Sequence, residues 1–167
     1  MKKAFITNNS DQTKELGKML AKELRGGEIV CLMGELGSGK TTFAQGVLEG
    51  LGAKGPYTSP TFLVMKHYKK IISNFKAQIF PPKRDPAVAV TNKAQSPKSK
   101  IQNIYHIDAY RVGAKDILNL GWEEIVADKK NVIVIEWAER IKNIVPKRAV
   151  WISFRHKGRN EREITLI

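Results

Sequence analysis

Gly34-Glu35-Leu36-Gly37-Ser38-Gly39-Lys40-Thr41, continued by Thr42, is the stretch on which the reading of this chain turns. It fits G-x-x-x-x-G-K-[ST], the pattern of a phosphate-binding P-loop. The glycines let the backbone curl so that its N–H groups converge on α- and β-phosphates. Gly39 has no side chain to block that approach. Lys40 carries a point charge toward the β/γ oxygens, and the Thr41 hydroxyl can ligate Mg²⁺. A helix leaving the loop turns its positive end to the same phosphates.

The flanks supply the setting this loop requires. Glu28 to Met33 reads as a buried strand, and Thr42 to Leu51 as a helix with Phe43, Val47 and Leu51 at helical spacing. Upstream, Lys3 to Thr7 reads as a short strand. A helix from the cap residue Ser10 to about Leu24 follows, with Leu16, Met19, Leu20 and Leu24 as its apolar stripe. Gly26-Gly27 ends it.

Downstream, Tyr57-Thr58-Ser59-Pro60-Thr61-Phe62 gathers hydroxyls around a proline ahead of the apolar run Phe62 to Met65. Two readings stand. Ser59 and Thr61 reach a γ-phosphate, a metal or an attacking water, or the stretch is a turn that starts a strand. Ile101 to Ile107 reads as a strand running into His106 to Arg111, where His106, Asp108 and Tyr110 alternate and would share a face, an active-site pattern at a strand end in open α/β sheets. His106 alone reads as a hydrogen-bonded structural histidine. Asp108 reads as functional, because a lone carboxylate at a strand end wants a cation or proton partner. Lys115 to Ala127 reads as helix, broken near Gly121. Asn131 to Trp137 is a strand of continuous Val/Ile, hence central and covered on both faces. It delivers Glu136 at its tip, the Walker B arrangement. There a carboxylate holds Mg²⁺ directly or through water, or orients the attacking water. A helical turn over 138–143, a strand over Arg148 to Phe154, a turn at 156–160 and a paired strand over Arg162 to Ile167 complete the chain.

Bulk composition narrows the class. At 167 residues and 42% hydrophobic content, one domain over 1–167 with a sizeable core is expected. The single cysteine, Cys31, excludes a disulfide framework within the chain and reads as a small buried hydrophobe. No apolar run approaches the roughly 20 residues of a membrane span. The N-terminus lacks a signal-like core, so no membrane association and a cytoplasmic location are expected. The net charge is +13, but Lys69 to Lys100 holds eight basic residues against one acid, hence +7 of it. That stretch contains Pro81-Pro82, Pro86 and Pro97 and no sustained period. It reads as a disordered basic insertion at about 70–100. The alternative is a basic arm for RNA.

The P-loop, Thr58-Ser59-Pro60-Thr61-Phe62, His106-Ile107-Asp108-Ala109-Tyr110-Arg111 and Val134-Ile135-Glu136-Trp137 together resemble the TsaE (YjeE) family of tRNA threonylcarbamoyladenosine synthesis. Leu120-Gly121-Trp122-Glu123-Glu124 resembles the family's segment between the last two. The resemblance implies an α/β, P-loop NTPase-like three-layer fold with a mostly parallel central sheet and antiparallel edge strands. It implies a weak Mg²⁺-dependent ATPase that resets a transferase complex. The partners implied are a TsaD-like transferase and its TsaB-like paralogue, with tRNA reached through them. By motif position, Lys40, Asp108 and Glu136 would be catalytic, and Thr41 with Glu136 would hold Mg²⁺. The ATP contacts would be Glu35, Leu36, Gly37, Ser38, Gly39, Lys40, Thr41 and Thr42, with Ser59 and Thr61 as a nucleotide-responsive loop. Thr13 sits where the family meets the adenosine end. The insertion departs from the family, which has a short hairpin-like link there. Two other classes compete: a small-molecule P-loop kinase, whose usual Arg-rich lid is missing, and an RNA-binding module using the basic stretch.

Overall fold

Alternation along the strands sets the layering. In the computed structural model, which describes residues 3–70 and 100–167, Val30 and Leu32 of strand β2 (Ile29–Gly34) face one side and Ile29 and Cys31 the other. In β5 (Asn131–Glu136), Val132 and Val134 face the first side, and Ile133 and Ile135 the second. Side chains alternate across a strand, so two apolar faces need two covers. Helices α1 (Ser10–Glu23) and α2 (Lys40–Gly50) cover the first face. Helices α3 (Ala114–Leu118) and α4 (Trp122–Ala127) and the 3₁₀ turn Ala138–Ile141 cover the second. The result is three layers.

The remaining strands are β1 (Lys3–Thr7), β3 (Met65–Lys69), β4 (Asn103–Asp108), β6 (Val150–His156) and β7 (Arg162–Leu166). Their order is β1-β7-β6-β2-β5-β4-β3. β6, β2, β5 and β4 run parallel; β1, β7 and β3 join antiparallel. This is the expected mostly parallel sheet with antiparallel edges. The parallel strands end on one rim, where open α/β sheets place their ligands. Register puts Leu32 and Asp108 on either side of Glu136.

Several local expectations are corrected. The cap of α1 is Asn9, not Ser10: Asn9 Oδ1 accepts from Gln12 N at 2.8 Å, and Ser10 is the first helical residue. Met19 is 55% exposed, outside the buried stripe. Leu24 is buried as expected, and small residues share the inner face with it. Thr13, Gly17 and Ala21 are buried, with Leu16 and Leu20 only partly so. A Cβ on Gly17 would lie 2.3 Å from Phe43 O, and one on Gly46 2.0 Å from Lys14 O. Helices α1 and α2 therefore meet almost backbone to backbone, leaving no room for a leucine seam. Phe62 and Leu63, in the apolar run after Pro60, are exposed; β3 starts at Met65. β4 stops at Asp108, so Tyr110 lies beyond the strand and packs 4.9 Å from the Trp137 ring. The break expected near Gly121 is present: at φ +79 this residue separates α3 from α4.

Of the basic insertion expected at about 70–100, residues 71–99 lie outside those described. Its flanks are placed. Lys69 pairs with Asn103 and Lys70 N donates to Gln102 O. These lie at the end of β4 opposite Asp108, about 17 Å away along the strand.

Candidate functional site

Alternation also builds the site. Ile104, His106 and Asp108 of β4 and Val132, Val134 and Glu136 of β5 point to the α2 face by parity. The last of each reaches the rim where the P-loop turns into α2. Gly37 (φ +73) and Gly39 (φ +102) take left-handed backbone that a side chain would resist. Gly39 precedes Lys40, the first residue of α2, so the helix N-terminus opens into the loop.

Lys40 is 4% exposed. Its Nζ donates to Gly34 O and Glu35 O, both at 2.7 Å, and lies 3.8 Å from the centroid of the Trp137 ring. Burial pushes its pKa down from the ordinary value, against the upward pull of Glu136, Glu139 and Asp108. Thr41 Oγ1 donates to Glu136 Oε2 at 2.6 Å. His106 Nε2 lies 2.8 Å from Glu136 Oε1. Thr41 and His106 thus share the carboxylate of Glu136, which lies 95 positions beyond Thr41, at the mouth of the loop.

Asp108 turns elsewhere. Its Oδ2 accepts from Ser59 Oγ at 3.0 Å and Thr61 Oγ1 at 2.5 Å, and its Oδ1 from Tyr110 N at 2.9 Å. The Ser59–Thr61 loop is therefore fastened to the strand end beside Glu136. Thr13 is 2% exposed and lies apart from this cluster, on a cleft of about 350 Å³ shared with Asn9, Gly39, Thr42, Asn160 and Arg162. Of the other loop residues, Ser38 is buried and Glu35, Leu36 and Gly37 are exposed.

Four further residues stand at this rim without a role assigned from sequence. His106 reads from sequence as a structural histidine on its own, or as one of a polar trio with Asp108 and Tyr110, with no task of its own. Trp137, at φ +58, turns the chain directly after Glu136 and lies under Lys40. Glu139 Oε1 accepts from Gly34 N at 3.5 Å, while its Oε2 is buried without a partner. Arg162 Nη2 donates to Gly37 O at 3.3 Å. Trp137 and Glu139 adjoin the Glu136 motif, so proximity in sequence pointed to them. Nothing local singles out Arg162; only the β6–β7 pairing carries it to the loop.

A family model, "Threonylcarbamoyl adenosine biosynthesis protein TsaE", matches residues 7–80 and 85–164. The chain belongs to the TsaE family. A TsaE of Rickettsia felis is 32% identical over 165 residues, covering 98% of this chain and 78% of its own length. One of Bacillus subtilis is 31% identical over 159 residues, covering 95% and 81%. Both are described as tRNA threonylcarbamoyladenosine biosynthesis proteins. The crystal structure of Bacillus subtilis YdiB superimposes with a TM-score of 0.65 at 26% identity, over 99% of this chain and 84% of that one. The TsaE matches run through both halves of the rim, from the P-loop to Glu136. Among the described residues no helix is long and apolar enough to cross a membrane.

Proposed function

We propose that this chain is a Mg²⁺-dependent ATP hydrolase of the cytoplasm, serving N6-threonylcarbamoyladenosine (t6A) formation in tRNA. Family membership supports the pathway. The 2.6 Å contact between Thr41 Oγ1 and Glu136 Oε2 carries the chemistry. A hydroxyl and a carboxylate meeting at a helix N-terminus are hard oxygen donors of the kind Mg²⁺ takes. The glycine-bent loop beside them suits polyphosphate.

In this reading Glu35 to Thr42 line the polyphosphate, and Thr13 meets the adenosine end. Lys40 exchanges its carbonyl partners for phosphate oxygens. Thr41 and Glu136 hold the cation. Bound Mg²⁺ supplies charge neutralisation at the transferring phosphoryl group. Asp108 sets the Ser59–Thr61 loop where a water or γ-phosphate would lie. Turnover resets a complex of a TsaD-like transferase and a TsaB-like paralogue, and tRNA is met through that complex.

The test is ATP turnover with and without those two partners, for the wild type, Lys40→Ala and Glu136→Gln. Turnover that depends on both residues and changes with the partners supports the reading. Near-normal turnover in Lys40→Ala overturns it.

A further inference from the structure

His106 is fully buried, in the layer otherwise filled by Ile104, Val132 and Val134. An aliphatic side chain would suit that layer better. One ring nitrogen, Nδ1, is buried with no hydrogen-bond partner. The position therefore bears the cost of an unpaired polar atom. What offsets it is the other nitrogen. A carboxylate oxygen can only accept, so Nε2 carries the hydrogen it shares with Glu136 Oε1 at 2.8 Å. Thr41 engages the opposite oxygen, Oε2.

We propose that His106 is a positioning residue that locks the Glu136 carboxylate, reserving Oε1 and presenting Oε2 alone to Thr41 and to a cation held with it. The proposal rests on the role given to Glu136 above. Carboxylate torsions are broad and roughly two-fold, so without the imidazole the group can rotate and offer both oxygens. That freedom matters differently to different ions. Ca²⁺ accepts a bidentate carboxylate readily, whereas Mg²⁺ demands near-octahedral geometry. His106 thus favours Mg²⁺ over Ca²⁺ at this site through a residue that touches neither.

His106→Phe keeps the ring and removes the donor; His106→Gln keeps an N–H donor. The measurement is the Mg²⁺ and Ca²⁺ dependence of binding of a fluorescent ADP analogue, with a parallel titration in EDTA. His106→Phe should raise the Mg²⁺ needed for half effect by about ten- to a hundredfold. It should also narrow the Mg²⁺/Ca²⁺ preference while leaving affinity in EDTA unchanged. His106→Gln should restore the Mg²⁺ dependence. In the wild-type protein without nucleotide, nitrogen-detected NMR should find the His106 proton on Nε2. Three results overturn the proposal: wild-type Mg²⁺ dependence in His106→Phe, an equal loss in EDTA, or no proton on Nε2. Glu136→Gln is run alongside. If it too leaves Mg²⁺ dependence intact, the role of Glu136 itself fails. If it alone shifts that dependence, only the role of His106 fails.

Discussion

Asp108 and Glu136 are register partners at the tips of β4 and β5, yet their carboxylates serve different elements. Glu136 accepts from Thr41 on the P-loop helix; Asp108 accepts from Ser59 and Thr61 on the following loop. Two neighbouring acids thus tie two separate segments to one rim. Each can be cut alone.

Asp108→Asn keeps one acceptor oxygen where two are in use, so either the Ser59 and Thr61 hydroxyls or Tyr110 N loses its acceptor. The loop should come loose, at a cost of about 1 kcal/mol for the half-buried groups left unpaired. Hydrogen exchange of the amides over 59–64 should quicken. ATP turnover should fall on the order of a hundredfold if the loop positions a reacting group. Unchanged exchange would show that Asp108 does not hold the loop.

Lys40→Met tests the buried ammonium through its pH signature. Burial lowers the Lys40 pKa from 10.5, so between the lowered value and 10.5 the folded chain binds fewer protons than the unfolded one. Stability from this group therefore rises with pH across that window. The stability difference, wild type minus Lys40→Met in urea titrations, should grow as pH approaches 10.5. A flat or falling difference contradicts the burial seen here.

Cys31 lies in the middle of β2, and burial, with the Glu139 charge adding, pushes its thiol up to about 12. The raised value keeps the thiol protonated in the fold. Its stabilising contribution is complete below the ordinary 9.0 and is lost as pH rises toward about 12. A soluble thiol reagent near pH 8 should modify Cys31 only as fast as the protein unfolds. Rapid labelling under native conditions would contradict its burial.

Gly46→Ala pits two known effects against each other. Alanine gains about 1 kcal/mol of helix propensity. Its methyl would sit 2.0 Å from the Lys14 carbonyl oxygen, which is backbone and cannot swing aside. Overpacking costs about 1–3 kcal/mol, and the upper end applies here. The urea midpoint should fall. Gly158→Ala, whose methyl meets nothing closer than 3.6 Å, should change stability by under about 0.5 kcal/mol.

The parallel core and the P-loop were legible because their signals are local. A fully buried strand reads as unbroken Val/Ile, and the loop spells out its own backbone. Glu136 was legible as the acid ending such a strand. His106 was not, because the ring's task depends on a carboxylate 30 residues away. Arg162 was hidden for the same reason: topology, not spacing, carries it to Gly37. Leu16, Leu20 and Leu24 of the α1 stripe were legible because leucines stand out in a sequence, but the tightest part of the contact is made by Gly17 and Ala21, which do not. Met19 is left outside it because glycine lets the two helices approach further than any apolar pair allows.

That glycine contact bears on how the cleft could be retuned. Thr13 rides on α1 and Gly39 leads into α2, so the two walls keep whatever spacing the main chains of those helices permit. Glycine is the smallest residue available, so substitution at Gly17 or Gly46 can only widen the gauge, and its first step is a whole methyl group. Graded adjustment must come from the mouth, through side chains such as Asn160 and Arg162, rather than from the side where the helices touch.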